Sequence, residues 1–488
     1  MTERSIVWFR NDLRVADNPA LSAAVARGKP VICVYIDDTK NPDGLGVGAA
    51  SRWWLHHSLK SLEKGLERRN ASLVLRSGDP AQIIAEIAKD ADVSTVFWNR
   101  LYEPWTINRD RNLKASLKEK GIDVETFAGS LLREPWEVET KTGGPYGVFT
   151  PFWKALSAME APAQPLKAPD KIPVDDSRPE SEALDGWNLL PAKPDWASAF
   201  TGHWQPGEAG AKDRLAAFVE NGLNQYQEGR NTPAAEYGTS RLSPHLHFGE
   251  ITARQVWHFI HHSMDAGRVN SSPAWAYLRE IGWRDFNHHL LFHNPDIPTE
   301  NYKSAFDAFR WNDDDQAFTA WTKGRTGYPF VDAGMRELWQ SGFMHNRVRM
   351  VTASFLVKHL LIDWRRGEKW FRDTLVDADL ANNVNGWQWV AGSGADAAPY
   401  FRIFNPITQG EKFDPTGAYI RRWVPELADL PDSHLFKPWE APKDVLDAAG
   451  IVLGTTYSSP IVDHAAARKR ALAAFAETKT DQENRGAA

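Results

Sequence analysis

The sequence predicts an α/β domain on a doubly wound, Rossmann-like parallel sheet, then a long linker, then an all-helical domain, and three observations carry that class. From Ser5 to about Ala128, short β-branched runs alternate with helical stretches, the order that yields parallel strands joined by helices. Between Gly129 and Ala209 prolines accumulate, as in APAQPLKAP and IPVDDSRPES, and periodicity fades, as in a connection lying over a surface. From Gly210 onward apolar residues recur at three and four positions, the spacing of amphipathic helices.

Length agrees with that division. The chain has 488 residues, and single cores stop growing near roughly 250 to 300, so the boundaries are set at 1–130, 131–209 and 210–480. In order, the first part gives SIVWF as a strand, a helix after Asp17-Asn18-Pro19, PVICVYI, a long helix from about Ala50 through Glu67, and SLVLRSG. A helix after Asp79-Pro80, VSTVFW, another helix and VETFA complete it. The dinucleotide fingerprint is missing after the first strand, and GLGVGAA (Gly44 to Ala50) follows a loop, so it is a weak signal. A ligand on such a sheet would lie beyond the carboxyl ends of the strands, near a topological switch point.

Within the connection, GGPYGVFTPFWKAL has enough aromatic residues to be anchored rather than loose. The helical part contains AKDRLAAFVENGL, ITARQVWHFIHHSM and AYLREIGWRDFNHHLLFH, then one long helix read from Glu337 to Trp364. Asp313-Asp314-Asp315 reads as a solvated helix start.

Composition excludes several classes. Hydrophobic residues make up 42% and charged residues 25%, ordinary for a soluble globular protein, and no apolar run approaches the roughly 20 residues of a membrane span. The start, MTERSIVWFRNDLR, shows no apolar signal segment, and the single cysteine, Cys33, forms no internal disulfide. Both point to the cytoplasm. A net charge of −6 argues against a protein coated in nucleic acid, so any DNA site is a local basic patch. The histidine pairs His56-His57, His261-His262 and His288-His289 lack companion ligands at metal spacing, so no metal is expected. Twenty-two tryptophans hint at aromatic chemistry, since a buried indole N–H needs a partner.

Candidate chemistry concentrates between Leu375 and Lys412. Asp377, Asp379, Asn382, Asn383, Asn385, Trp387 and Trp389 fall within thirteen residues. Acids and amides can hold the edges of a buried flat heterocycle while indoles cover its faces; a capped helix start followed by core tryptophans is an equally good account. In TSRLSPHLHFGEI, the hydroxyls of Thr239 and Ser240 stand just ahead of a helix, where an anion site can form, although an ordinary N-cap is commoner. EIGWRDF places Glu280, Trp283 and Arg284 on one helix face. Asn346 and Met350 lie four apart, flanked by Arg347 and Arg349.

The runs DLANNVNGWQW, DAAPYFRIFNP and QGEKFDPTGAYIRRWVPEL resemble the flavin-binding core of the photolyase and cryptochrome family, proteins that bind FAD and work with light. Together with TSRLSPHLHFGEI, EIGWRDF and GYPFVDAGMRELWQSGFMHNRVRM, the resemblance covers almost the whole chain. It implies a helical FAD-binding domain with FAD held non-covalently. Tyr226, Thr239, Ser240, Arg241, Leu242, Ser243 and Tyr277 would contact it, the first hydroxyls holding its phosphates; Tyr277 stands where some relatives have tryptophan. Asn346 and Arg349 would lie against the flavin and Arg284 would brace it, with Asp377 and Asp379 near the ring and ribose. Asn383 would face the ring nitrogen that gains a proton on reduction, a place where plant cryptochromes tend to have Asp. Trp387, Trp364 and Trp311 match the family's tryptophan relay to the surface.

On the DNA side the resemblance implies that Glu280 hydrogen-bonds the polar edge of a flipped pyrimidine dimer, that Trp283 and Trp389 pack on its rings, and that Arg347 and Met350 face it. Arg230, Arg347, Gln409 and Lys412, with Arg421 and Arg422, are the candidates for backbone contacts. Relatives that repair the (6–4) photoproduct carry histidines at the places of Asn346 and Met350, because that reaction moves a proton. The implied activity is therefore light-driven repair of cyclobutane pyrimidine dimers by a monomeric deoxyribodipyrimidine photo-lyase. VWFRNDLR and SRWWLHHSLKSLEKGLE look most like the class III branch, whose members typically carry a methenyltetrahydrofolate antenna, with a deazaflavin or an empty site as alternatives. A cryptochrome-type photoreceptor is the competing reading. Asn383, the set Glu280, Trp283, Met350 and Trp389, and a short tail after Pro460 favour repair, whereas a structural flavoprotein explains none of the lesion-facing residues.

Overall fold

A computed structural model describes residues 3–38, 45–177, 179–397 and 401–486. Gly44 of the glycine-rich run and Ala398, Pro399 and Tyr400 of DAAPYFRIFNP lie outside the described residues. The chain forms two compact units, one of Met1–Asn224, Ser240–Pro295 and Val376–Ala378, the other of Gln225–Thr239, Asp296–Leu375 and Asp379–Ala488.

The strands are β1 (Arg4–Phe9), β2 (Val31–Asp37), β3 (Leu73–Ser77), β4 (Val93–Asn99) and β5 (Asp123–Phe127). In chain order the helices begin with α1 (Pro19–Ala26), α2 (Ala49–Glu67), α3 (Pro80–Asp90), α4 (Pro104–Glu119), α5 (Phe149–Ala158) and α6 (Glu208–Asn221). There follow α7 (Tyr226–Gly229), α8 (Ser243–His247), α9 (Ala253–Asp265), α10 (Ser271–His293), α11 (Asp315–Thr322) and α12 (Pro329–Ser341). Then come α13 (Asn346–Ser354), α14 (Trp364–Thr374), α15 (Leu380–Ala391) and α16 (Pro406–Phe413).

In the first unit the five strands are parallel in the order β3-β2-β1-β4-β5. Central β1 is buried along SIVWF, as a strand covered on both faces must be, while edge β5 is partly exposed. The helices expected after Asn18-Pro19 and Asp79-Pro80 are present, and the structure adds their caps: Asn18 accepts from the Leu21 N–H and Asp79 from the Ala81 N–H, each with proline next. Strand order reverses between β1 and β4, and protein side chains fill that place. Arg10 donates to the Asn99 carbonyl and lies 4.5 Å over Trp8, and Asn99 Nδ2 donates to Asp12 at 2.5 Å and Asn18 at 2.8 Å. The connection is more structured than its prolines suggest, because α5 lies in it and Leu156, Ile172, Phe200 and Trp204 are buried.

The second unit is helical. The single helix read from Glu337 to Trp364 is instead three pieces. Gly342 at φ +67° ends α12 in the left-handed conformation, which glycine adopts without steric cost. His345 then caps α13, whose last turn widens into a π-turn over Phe355–His359 before Asp363 caps α14. Asp314 caps α11 as expected, accepting from the Ala317 N–H.

Candidate functional site

The first unit supplies a turn and a helix face. At the turn, Arg241 sits at φ +52°, a conformation that side-chain-bearing residues keep only when surroundings enforce it. Its guanidinium lies 4.7 Å over Trp204; next to it, Arg214 donates to the Ser240 carbonyl at 3.0 Å, and Ser240 Oγ accepts the Leu242 N–H at 3.3 Å. Ser243 opens the five-residue α8, and its hydroxyl donates to Asp377 at 2.6 Å. The fold thus joins two candidate residues 134 positions apart.

Helix α10 presents Glu280, Trp283 and Arg284 half-buried and sinks Tyr277, Ile281 and Asp285. Burial pushes the Tyr277 phenol up. Trp283 has one face already covered, because the fully buried Phe149 ring stacks on it with centroids 3.6 Å apart. The approach of α5 depends on Gly282, where a Cβ would come within 2.4 Å of Trp153. Arg284 donates to the carbonyls of Ser130 at 3.0 Å and Leu246 at 3.4 Å, so it ties this unit together. Phe149 was not singled out from sequence, although VFTPFW is the most aromatic stretch of the connection.

The second unit centres on α14 and α15. Asp379 caps α15, accepting from the Asn382 backbone at 2.9 Å and side chain at 2.7 Å, so the capped-start account of the Asp/Asn run is correct for this residue. Asn383 Nδ2 donates to the Glu368 carboxylate at 3.0 Å and the Glu368 backbone carbonyl at 3.2 Å. Burial raises the Glu368 carboxyl against the pull of Arg372, whose Nη2 lies 3.1 Å away. Gly367 lets Trp387 lie on the α14 backbone, since a Cβ there would meet the indole at 2.1 Å. Trp387 is 2% exposed and its N–H has no partner among the described residues. A buried orphan donor costs roughly 1–3 kcal/mol and calls for a functional account. Phe371 and Trp321 surround it at 4.9 and 6.2 Å. By contrast Trp364 donates to Asn301 at 3.0 Å, while Trp311, half-buried, packs 4.4 Å from Phe309. Trp389 is half-buried.

Around α13, Asn346 is exposed and Arg347, Arg349 and Met350 are half-buried. Arg347 donates to Asn231 at 2.6 Å and lies 4.3 Å over Phe413; burial lowers its pKa, as do Arg230 and Arg402 nearby. That makes a local basic cluster on an acidic chain. Arg402 was missed because its segment carries no periodic signal. Arg349 donates to the Met344 carbonyl at 2.7 Å, and Arg230 lies 5.3 Å over the buried Tyr226. Gln409 keeps a buried Oε1 without a described partner, and Lys412 is exposed. Arg421, in contrast to its expected DNA role, spends its guanidinium on the carbonyls of Thr416, Ala428 and Leu430 and on Asp432. Thr239 is half-buried in this unit.

Among the described residues no group of three or more His, Cys, Asp or Glu could hold a metal ion, and no helix is long and apolar enough to cross a membrane.

Comparison with known proteins gives matches to two family models, DNA photolyase over residues 5–170 and the FAD binding domain of DNA photolyase over residues 277–477. A deoxyribodipyrimidine photo-lyase of Agrobacterium fabrum is 54% identical, the match covering 97% of this chain and 98% of that one. Cryptochrome-1 of Arabidopsis thaliana is 40% identical over 95% of this chain and 69% of its own. Among solved structures, a bacterial class III photolyase from Agrobacterium tumefaciens superposes with a TM-score of 0.95 at 53% identity, covering 98% of each chain.

Proposed function

The chain belongs to the photolyase and cryptochrome family, and from that premise we propose that it is a class III deoxyribodipyrimidine photo-lyase that repairs cyclobutane pyrimidine dimers in DNA under blue light. The observation that carries this reading is the near full-length match to a photo-lyase of that name. FAD is the cofactor. Its proposed contacts are Tyr226, Thr239, Ser240, Arg241, Leu242, Ser243, Tyr277, Glu280, Arg284, Asn346, Arg349, Asp377, Asp379 and Asn383. The strained Arg241 and the orphaned Trp387 N–H are features that fit a flat, polar-edged cofactor better than a plain core. When bound and reduced, FAD supplies the electron that opens the dimer after light absorption.

The chain's own residues do the rest. Glu280 hydrogen-bonds the polar edge of the flipped dimer, and Trp283, backed by Phe149, and Trp389 pack on its rings. Asn346 and Met350 offer no proton, which suits dimer splitting and not (6–4) repair. Arg230 and Arg347, with Gln409 and Lys412, engage the DNA backbone. Asn383 would face the flavin's reducible nitrogen without delivering a proton, and Trp387, Trp364 and Trp311 would form the relay through which an oxidised flavin could be re-reduced. The proposed division by ligand is antenna at 1–130, connection at 131–209, and flavin and DNA at 210–480. Methenyltetrahydrofolate is the proposed antenna; the filled switch point between β1 and β4 argues against seating it there. A metal-free monomer in the cytoplasm completes the reading.

Blue light applied to thymine-dimer DNA and, in parallel, (6–4) DNA tests it. Repair of the dimer alone is expected; flavin photoreduction without repair of either lesion would favour a cryptochrome-type photoreceptor.

A further inference from the structure

The amide of Asn383 has an orientation that the protein itself decides. Its Nδ2 faces two acceptors of one residue, the Glu368 carboxylate at 3.0 Å and the Glu368 backbone carbonyl at 3.2 Å. A carbonyl never donates, so the NH₂ end must point at Glu368 and Oδ1 away from it. The backbone beneath is equally determined: Asp379 caps α15, and the Asn383 N–H donates to the Asp379 carbonyl at 2.8 Å. Glu368 is itself held, 3% exposed and bridged by Arg372 one turn along α14 at 3.1 Å. The Asn383 Nδ2 thus reaches two acceptors of Glu368, and among the described residues no donor meets Oδ1.

We propose that Glu368 is a positioning residue that makes Asn383 a hydrogen-bond acceptor toward the flavin, favouring the reduced ring, whose nitrogen carries a hydrogen, over the oxidised ring, whose nitrogen has only a lone pair. This rests on the reading of Asn383 as the residue that faces that nitrogen. A donor in the same place would favour the opposite state, so the acceptor orientation, and not merely the presence of an amide, suits an enzyme that works from reduced flavin. Glu368 escapes a sequence reading because it lies on α14 in WRRGEKWF, 15 positions before its partner, among charges that look like a solvated helix face.

The test is the midpoint potential of the FAD bound to the intact protein, read by spectroelectrochemistry, alongside thermal melts. Glu368→Leu removes the carboxylate acceptor, leaving only the longer backbone contact at 3.2 Å, and should lower the potential by an amount equivalent to about a tenfold loss of reduced over oxidised flavin, about 30 mV for a two-electron couple. Glu368→Gln keeps an acceptor oxygen and should restore most of it. Glu368→Asp, which withdraws the carboxylate by one methylene with its charge intact, should shift the same way as Glu368→Leu and reads the quantity even if the leucine variant loses FAD. A potential unchanged in both Glu368→Leu and Glu368→Asp, while Asn383→Leu shifts it, would overturn the role of Glu368 alone. If Asn383→Leu leaves the potential unchanged, the placement of Asn383 against the flavin is wrong and the inference falls with it.

Discussion

At Gly367 the absence of one methyl group decides where an indole lies. A Cβ there would come within 2.1 Å of the Trp387 ring and 2.7 Å of Leu356, and Trp387 is hemmed in by Phe371 and Trp321. Gly367→Ala should therefore destabilise the protein by about 1–3 kcal/mol, the usual range for overpacking, seen as a lower midpoint in thermal or urea unfolding. Trp387→Phe makes a contrasting case. It deletes an N–H that is buried without a partner, so part of the lost packing is offset and the stability cost should be smaller than for a tryptophan whose N–H is satisfied, such as Trp364 with Asn301. Function should respond the other way: Trp387→Phe is expected to abolish photoreduction of oxidised flavin and leave repair by pre-reduced enzyme nearly intact. Loss of both activities, measured side by side on the same preparation, would remove Trp387 from the relay.

Helix α10 carries two titratable residues whose effects on stability oppose one another. His289, 1% exposed, faces the Pro135 carbonyl with Nδ1 at 2.8 Å and accepts the Tyr146 N–H with Nε2 at 3.0 Å. Only the neutral ring makes both bonds. Burial, chiefly, lowers its pKa from 6.5 to about 4, so its contribution is present above pH 6.5 and is lost as pH falls toward 4, on the order of 3 kcal/mol in total. Asp285 behaves oppositely. Burial raises it from 3.8 to about 6 despite Arg284 and two backbone N–H groups, so its ionisation costs stability as pH rises through that interval, by a similar order of magnitude. The parent protein should consequently show a shallow stability profile between pH 4 and 6. Asp285→Asn should expose a steep acid loss, and His289→Gln should instead lose stability as pH rises. Unfolding midpoints of the three proteins across this range decide it; parallel profiles would show that neither group is coupled to folding.

For the whole molecule, a net charge of −6 means that DNA binding must come from a local cluster, and the mutual influence of Arg230, Arg347 and Arg402 identifies one. Affinity should fall with rising salt by a slope of roughly −0.9 per phosphate contact. Arg347→Ala should reduce that slope and weaken binding to all duplexes. Glu280→Ala should leave the slope nearly unchanged and cut discrimination for dimer-containing DNA by about 1–3 kcal/mol, the cost of an unpaired polar edge. Salt titrations on damaged and undamaged duplex separate these effects. If Glu280→Ala binds both as the parent does, the lesion does not meet Glu280.

The sequence by itself determined the order of strands and helices in the first part, the helix starts at Asn18-Pro19, Asp79-Pro80 and the Asp313–Asp315 run, and the cofactor family, because period, helix-start residues and long motifs are local signals carried by neighbouring residues. It also marked Asp377 and Ser243 as candidates. Their meeting at 2.6 Å was not legible, since nothing in either segment encodes a partner 134 positions away. The same holds for Phe149 behind Trp283 and Glu368 behind Asn383, residues whose own surroundings in sequence look like a connection and a solvated face. The break of the supposed Glu337–Trp364 helix was locally visible in Ser341-Gly342, but apolar periodicity ran through it and concealed the turn. Only the tertiary structure decided which side of Asn383 is an acceptor, that Arg421 is spent internally, and that side chains fill the switch point. Each depends on which distant groups arrive within hydrogen-bond distance, and burial then makes those meetings costly to leave unsatisfied.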